Sequence, residues 1–240
     1  MRLDKLLCDM GIGTRSQVKA FVRQGLVTVN GSVALAADMK IDASADKIRF
    51  RGKPLQYCRY VYYMLNKPQG VVSATTDNRD RTVVSLLGGR GREGVFPVGR
   101  LDKDATGLLL LTDDGELAHR LLSPRRHVDK TYRVLLEHPL AKEDAKRLEQ
   151  GVDIGEEGLT LPAGVEVLDG NSILLTLHEG KYHQVKRMLS AVGNRVLALE
   201  RISFGGVCLD EGLQPGEYRE LTGEEIASLK AVCGAKEGGT

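Results

Sequence analysis

Apolar residues recur with helical spacing at the start of the chain and then alternate as they do in strands. The spacing predicts a short helix over residues 2–10 and a second helix over residues 15–24, with Thr14 as its N-cap. Two strand-like runs follow over residues 26–33, joined by Asn30-Gly31, a pair that tight hairpin turns favour. The first part of the chain is therefore predicted to be a small helix-helix-strand module.

A larger set of elements is predicted downstream. An apolar strand is expected near residue 61, a buried strand at the four leucines of 108–111 and an alternating strand over 130–136. The other predicted segments are a linker at 51–59, an exposed loop at 76–94, helices at 116–122, 141–150 and 223–231, and several short strands over 152–177. The pattern thus mixes helices and strands along the whole chain.

Charge is distributed unevenly over the 240 residues. The chain carries a net charge of +2, but residues 1–58 hold ten Lys/Arg against five Asp/Glu, which leaves −3 for the remainder. A basic N-terminal part suggests a polyanionic partner.

Cysteines and apolar runs exclude several classes of protein. The four cysteines, Cys8, Cys58, Cys208 and Cys233, form no C-x-x-C pair, so we expect reduced thiols and neither a disulfide framework nor a metal site. No signal-peptide pattern opens the chain, and no apolar run has the length of a membrane span. We expect a cytoplasmic protein with no membrane partner.

The chemically most distinctive stretch is GRLDKDATG at residues 99–107, which leads directly into the buried leucines. Asp102 is thereby predicted at the edge of a core, where a carboxylate beside a cation can serve as an acid, a base or a nucleophile. An Asp-rich turn is the structural alternative. A calcium loop is the second alternative, and it is disfavoured because leucines occupy its later positions.

Cations recur at two other places. Arg15, Lys19 and Arg23 lie four residues apart on the second predicted helix, either as a solvated face or as phosphate contacts. Lys181, His183, Lys186 and Arg187 crowd a predicted helix start, which the helix dipole disfavours unless an anion or a carboxylate compensates.

Two single residues are also candidates. Lys67 beside a Pro-Gly turn is either an ordinary turn lysine or a phosphate contact near a pocket. Tyr132, on the alternating strand, is either a packing residue or part of a site.

The N-terminal blocks RLDKLL, GIGTRS and GLVTVNG resemble the S-four-type RNA-binding module, named after a ribosomal protein. The resemblance covers residues 1–58. It implies that the helix carrying Arg15, Lys19 and Arg23 lies on folded RNA and contacts phosphates.

The Asp102 loop, the KTY strand and the GKYHQVKRM segment together resemble the pseudouridine synthases of ribosomal RNA, in particular the RsuA family. The resemblance implies that Asp102 is the essential aspartate, Tyr132 the active-site tyrosine and Lys186 the basic partner that keeps Asp102 ionised. Arg100 would fill the stack that a flipped base vacates, or else pair with Asp104. The RNA-binding candidates are Arg15, Lys19, Arg23, Lys67, Arg100, Lys181, His183, Gln184 and Arg187.

The resemblance also implies an α+β fold, with a small N-terminal α/β module and a larger catalytic domain whose mixed, mainly antiparallel sheet has flanking helices. We expect domains at 1–58 and 59–232, a flexible tail at 233–240, a monomer, and chemistry without a metal or a cofactor. The expected substrate is a uridine of small-subunit (16S) ribosomal RNA, at position 516. No redox change accompanies the isomerisation.

Three other functions are open to this sequence. A large-subunit (23S) RNA synthase of the same family would share all of the motifs, and a non-catalytic RNA-binding protein would need the basic module alone. A two-carboxylate glycosidase would pair Asp102 with Asp113 or Asp114, but the four leucines between them span about 13 Å. Such catalysis needs carboxylates about 5–9.5 Å apart, so the glycosidase is excluded.

Overall fold

The computed structural model describes residues 1–43, 45–55, 59–89 and 91–234. The chain divides into two compact units, one of Met1–Val61 with Arg90–Gly94 and the other of Tyr62–Gly89 with Val95–Thr240. The predicted boundary after residue 58 lies outside the described residues. In the ranges described, no helix has both the length and the apolar character that crossing a membrane requires.

The first unit packs two helices on a small antiparallel sheet, in the strand order β2-β1-β3-β4. Its elements are α1 (Leu3–Asp9), α2 (Arg15–Arg23), β1 (Val27–Val29), β2 (Ser32–Val33), β3 (Ile48–Phe50) and β4 (Lys53–Leu55). The Thr14 hydroxyl accepts a hydrogen bond from the Gln17 amide and so begins α2 as predicted. Asn30 and Gly31 both have positive φ, as the predicted hairpin requires.

Burial in this unit follows the predicted helix faces. Leu3, Leu6 and Leu7 of α1 are fully buried, whereas Arg15, Lys19 and Arg23 of α2 are exposed. The predicted linker at 51–59 is wrong in part. Arg51 and Gly52 form a tight turn with positive φ, which allows Lys53–Leu55 to pair with β3 as a fourth strand.

The second unit contains the remaining elements. Its strands are β5 (Tyr62–Lys67), β6 (Phe96–Pro97), β7 (Thr106–Thr112), β8 (Lys130–Leu136), β9 (Gly164–Asp169), β10 (Ser172–Leu177), β11 (Val196–Phe204), β12 (Val207–Cys208) and β13 (Tyr218–Glu220). Its helices are α3 (Gly115–Leu122), α4 (Lys142–Gln150), α5 (Gln184–Ala191) and α6 (Gly223–Gly234), with 3-10 turns at Val84–Leu87 and Pro124–Arg126.

These strands form one mixed sheet in the order β13-β5-β7-β11-β8-β10-β9, with β6 beside β7 and β12 beside β11. The pairing of β7 with β11 is parallel and the other pairings are antiparallel, which confirms the predicted α+β class. Gly107 lies opposite Arg201 in the parallel pair. A Cβ atom at Gly107 would overlap the Arg201 carbonyl oxygen, so glycine permits the two strands to approach.

The core of the second unit corrects two further predictions. Val83 and Leu87 are buried, so part of the predicted exposed loop at 76–94 packs inward. Cys233 is buried at the end of α6, where it packs with residues of the core. The predicted tail therefore cannot begin at residue 233, while residues 235–240 lie outside the described part of the chain.

Candidate active site

The predicted Asp102 loop is a tight connection between β6 and β7. Its backbone is held in place by hydrogen bonds to a buried side chain. Leu101 is buried, and its backbone makes two hydrogen bonds with the Ser73 hydroxyl, at 2.8 and 3.0 Å. The Ala105 amide closes the loop by donating to the Asp102 carbonyl oxygen at 3.1 Å. The Asp102 side chain is 24% exposed, so its carboxylate lies at the edge of the core, as predicted.

Lys67 lies beneath this loop and not at an RNA-facing surface. The residue is fully buried, and its Nζ donates to the carbonyl oxygens of Pro68, Lys103 and Ala105 at 3.1, 3.4 and 2.7 Å. Burial lowers the pKa of Lys67 to about 8, although the nearby Asp104 and Asp102 carboxylates favour the charged form. The prediction that Lys67 holds a phosphate is therefore wrong, because the ammonium group supports the backbone of the Asp102 loop.

Lys186 binds both carboxylates of the loop. Its Nζ lies 3.1 Å from Asp102 Oδ2, and 2.7 and 2.9 Å from the two oxygens of Asp104. Burial by itself would lower the pKa of Lys186, but the hydrogen bonds to both aspartates outweigh it and raise that pKa. Lys186 is therefore a stable cation, and it lies where the sequence predicts a partner for Asp102.

Asp104 pairs with Lys186 and not with Arg100. The hydrogen bond from Lys186 is the main cause that lowers the pKa of Asp104. Arg100 is exposed at the cavity, and no ion pair joins it to Asp104 in the described ranges. The loop salt bridge considered for Arg100 is therefore not formed.

The segment before α5 differs from its prediction. The helix begins at Gln184, so Lys181 and His183 precede it and do not belong to its first turns. His183 has a positive φ of 49°, an uncommon conformation for a residue other than glycine, and its Nε2 lies 3.4 Å from Asp102 Oδ1. The imidazole of His183 is thus a neighbour of the Asp102 carboxylate, a contact that the sequence motifs do not predict.

Gln184 is buried, with only 4% of the residue exposed, so the prediction that it binds RNA is wrong. Its Oε1 accepts from the Lys181 amide at 2.9 Å, and its Nε2 donates to Glu179 Oε1 at 2.8 Å. Glu179 Oε1 also accepts from the Leu161 amide at 2.9 Å. Gln184 therefore fixes the backbone before α5 and is not available to contact RNA.

Arg187 and Lys181 pair with one surface carboxylate. Arg187 donates to Glu156 Oε1 and to the carbonyl oxygens of Ile154 and Tyr182. Lys181 Nζ lies 3.9 Å from Glu156 Oε2. The cations around the start of α5 therefore have carboxylate partners in Asp102, Asp104 and Glu156, which is the compensation that the sequence predicts.

Several of the side chains described above border a cavity of about 560 Å³. Asp102, Tyr132, Lys186 and His183 all line it. Tyr132 is 9% exposed on β8, opposite Leu175 of β10 and Arg201 of β11. The catalytic candidates are thus brought to a single site of the size that small-molecule groups occupy.

Sequence reasoning missed two cations at this cavity, Lys130 and Arg201. Both are buried, and burial followed by the neighbouring Arg201 charge lowers the pKa of Lys130 to about 8. Arg201 Nε donates to the Leu108 carbonyl oxygen at 2.8 Å. Strand alternation is the signal that could have found them, since Lys130 shares the inward face of β8 with Tyr132.

Two parts of the chain match known protein families. Residues 61–191 match the family of RNA pseudouridylate synthases, and residues 1–46 match the S4 domain. A Bacillus subtilis protein named as an uncharacterized RNA pseudouridine synthase, YtzG, is 51% identical over 234 residues, which are 95% of this chain and 98% of that protein.

Two further relatives extend the likeness. The Escherichia coli K12 protein named ribosomal small subunit pseudouridine synthase A is 45% identical over 95% of this chain and all of its own. A solved structure, described as the crystal structure of a pseudouridylate synthase, has a TM-score of 0.66 and 41% identity. It covers 95% of this chain and 99% of its own.

Proposed function

The chain belongs to the RNA pseudouridylate synthase family, and we propose that its substrate is a uridine of small-subunit ribosomal RNA. The membership confirms the resemblance noted in the sequence motifs and makes the protein a pseudouridine synthase. The choice of RNA is supported by the name of the Escherichia coli relative, which matches over nearly the full length of both chains. Uridine 516 stays the predicted position.

The proposal depends most on one observation: Asp102, held against the Lys186 cation, lines the same cavity as the buried Tyr132. Forming pseudouridine breaks the bond from ribose C1′ to N1 of uracil, turns the base, and joins C1′ to C5. The C5 proton leaves at the end, and there is no net oxidation or reduction. These steps need an ionised carboxylate near the sugar and a surface on which the free base can turn.

Asp102 supplies the carboxylate. It either attacks C1′ as a nucleophile or removes the 2′ proton, and both routes require the ionised form. Lys186 Nζ lies 3.1 Å from Asp102 Oδ2 and so pairs the carboxylate with a cation. Asp104 acts through Lys186 as a positioning residue, since it holds the same Nζ at 2.7 Å.

Tyr132 supplies the surface for the base. A uridine must leave the RNA stack to reach a half-buried carboxylate, which requires about a few kcal/mol of unstacking. The aromatic ring of Tyr132 offers a new stacking partner inside the cavity, and its hydroxyl is a candidate hydrogen-bond partner for the base near C5, the atom from which the proton must leave. Arg100, exposed at the same cavity, is the candidate to fill the vacated position in the RNA.

The first unit contributes affinity for RNA. Arg15, Lys19 and Arg23 lie exposed along α2, with the spacing expected of phosphate contacts. We propose that the protein acts as a monomer in the cytoplasm, where its ribosomal RNA substrate is made.

The test is to incubate the purified protein with small-subunit and large-subunit ribosomal RNA and to map pseudouridine in each by chemical modification and sequencing. The proposal predicts one new pseudouridine in the small-subunit RNA. A new pseudouridine confined to the large-subunit RNA would overturn the choice of substrate while leaving the enzyme class intact. Product in neither RNA, with folded protein, would contradict the proposed function.

A further inference from the structure

We propose that the open face of the Tyr182 ring is a stacking platform for the base of a nucleotide next to the target uridine, an inference that rests on the proposed function. Tyr182 lines the same cavity as Asp102, yet 74% of the residue is exposed. The ring therefore borders the cavity and leaves most of its surface available for a ligand to cover.

The ring is already half of a stack. Its centroid lies 3.9 Å from that of the His183 imidazole, and the two planes differ by only 17°. Because His183 covers one face and most of the residue is still exposed, the opposite face of Tyr182 is open to solvent. A nucleobase can add a third layer to this stack without moving either side chain.

The platform is fixed before RNA binds. Arg187 Nη1 donates to the Tyr182 carbonyl oxygen at 3.0 Å, and Gln184 holds the amide of Lys181 at 2.9 Å. The backbone on both sides of the ring is therefore restrained, so little conformational freedom is lost when a base stacks on it.

His183 connects the platform to the reacting group. Its face carries Tyr182, while its Nε2 lies 3.4 Å from Asp102 Oδ1. A base on the open face of Tyr182 is thus separated from the carboxylate by two ring layers. Since the target ribose must reach Asp102, an adjoining nucleotide is the part of the RNA placed at that distance.

The surroundings favour a nucleotide over an apolar partner. Lys181 and Arg187, on either side of Tyr182 in the sequence, share the single carboxylate of Glu156, so positive charge is in excess beside the ring. Cations beside an aromatic ring are the combination that binds single-stranded nucleic acid, because the cations meet the phosphates and the ring meets a base. A single ring among charged groups offers no continuous apolar surface to a protein.

The test uses a small-subunit RNA fragment containing the target uridine, with 2-aminopurine placed either directly before or directly after it. Fluorescence of 2-aminopurine falls when the base stacks on an aromatic ring. We expect quenching at one of the two positions with the wild type and with Tyr182→Phe, and loss of that quenching with Tyr182→Leu. Leu168→Ala, which shortens an exposed apolar residue on β9, is the matched control.

Affinity is measured on the same fragments. Stacking of one base predicts that Tyr182→Leu binds about 5- to 150-fold more weakly than the wild type, with Tyr182→Phe within about twofold. Equal affinity and equal fluorescence for Tyr182→Leu and the wild type would overturn the platform, even where the wild type forms pseudouridine normally. A wild type that binds with quenching but forms no pseudouridine would instead contradict the proposed function and leave the platform standing.

Discussion

Two segments meet at Asp102. One is held by buried groups, and the other partly by exposed ion pairs. The loop of residues 99–107 is supported through its backbone by buried groups, Lys67 and Ser73. Residues 179–187 are held largely by side chains, with the buried Gln184 inside and the Glu156 pairs outside. The first arrangement fixes the nucleophile or base. The second holds the RNA-facing segment partly through exposed ion pairs, which salt screens.

The largest effect expected from this contrast is on Lys67. Lys67→Met removes the donor to three carbonyl oxygens and leaves that of Ala105, whose contact with Lys67 is buried, without it, so the free energy of unfolding should fall by about 2–5 kcal/mol. Activity should fall as well, because the Asp102 loop loses its support. Chemical denaturation measures the first effect. A variant as stable as the wild type would contradict the role assigned to Lys67.

The same lysine predicts a pH dependence. The pKa of Lys67 is about 8 in the folded protein and 10.5 for an unperturbed lysine, so the unfolded chain binds more protons between these values. The stability contributed by this group should therefore rise as pH increases from 8 to 10.5, by at most about 1.4 kcal/mol per pH unit. The stability difference between the wild type and Lys67→Met should widen over that range. A constant difference would argue against a depressed pKa.

Gln184 should have an intermediate effect. Gln184→Ala leaves the Lys181 amide without its acceptor and removes one donor to Glu179, which we expect to lower the free energy of unfolding by about 1–3 kcal/mol. Gln184→Glu keeps the acceptor but places a second carboxylate against Glu179 at a buried position, so it should be no more stable than Gln184→Ala. If chemical denaturation shows that Gln184→Ala leaves the free energy of unfolding unchanged, Gln184 does not hold the backbone before α5 in place.

The outer pairs should have the smallest effect. Glu156→Gln removes the carboxylate from partly exposed pairs with Arg187 and Lys181, so stability should change by less than about 1 kcal/mol. The change should shrink further at about 1 M salt, where such pairs are screened. A loss of stability as large as that of Lys67→Met would contradict the conclusion that the exposed pairs hold their segment more weakly than Lys67 holds the Asp102 loop.

Local rules predicted much of this molecule. Strand alternation predicted β8 with its observed bounds, Lys130–Leu136, and capping chemistry placed Thr14 before α2. The Asp102 loop and its pairing with Lys186 were likewise predicted from the motifs. Each of these depends on residues close in sequence or on a family resemblance.

The errors share a cause, which is contact between distant parts of the chain. Lys67 beside a proline has the composition of an exposed turn, and only the fold brings the carbonyl oxygens of Lys103 and Ala105 around its amine. Gln184 is buried through Glu179 and the backbone of Lys181, which helix periodicity does not report. The late start of α5 follows from the positive φ of His183, a position that no glycine marks in the sequence.

The central claim is that the Asp102 carboxylate performs the chemistry while other groups hold the RNA. The direct measurement is pseudouridine yield and RNA affinity for Asp102→Asn, beside Asp169→Asn, an exposed aspartate on β9. We predict no detectable product from Asp102→Asn, affinity within about threefold of the wild type, and normal yield from the control, since the substitution removes one charge and keeps the side-chain shape. Wild-type yield from Asp102→Asn would contradict the claim.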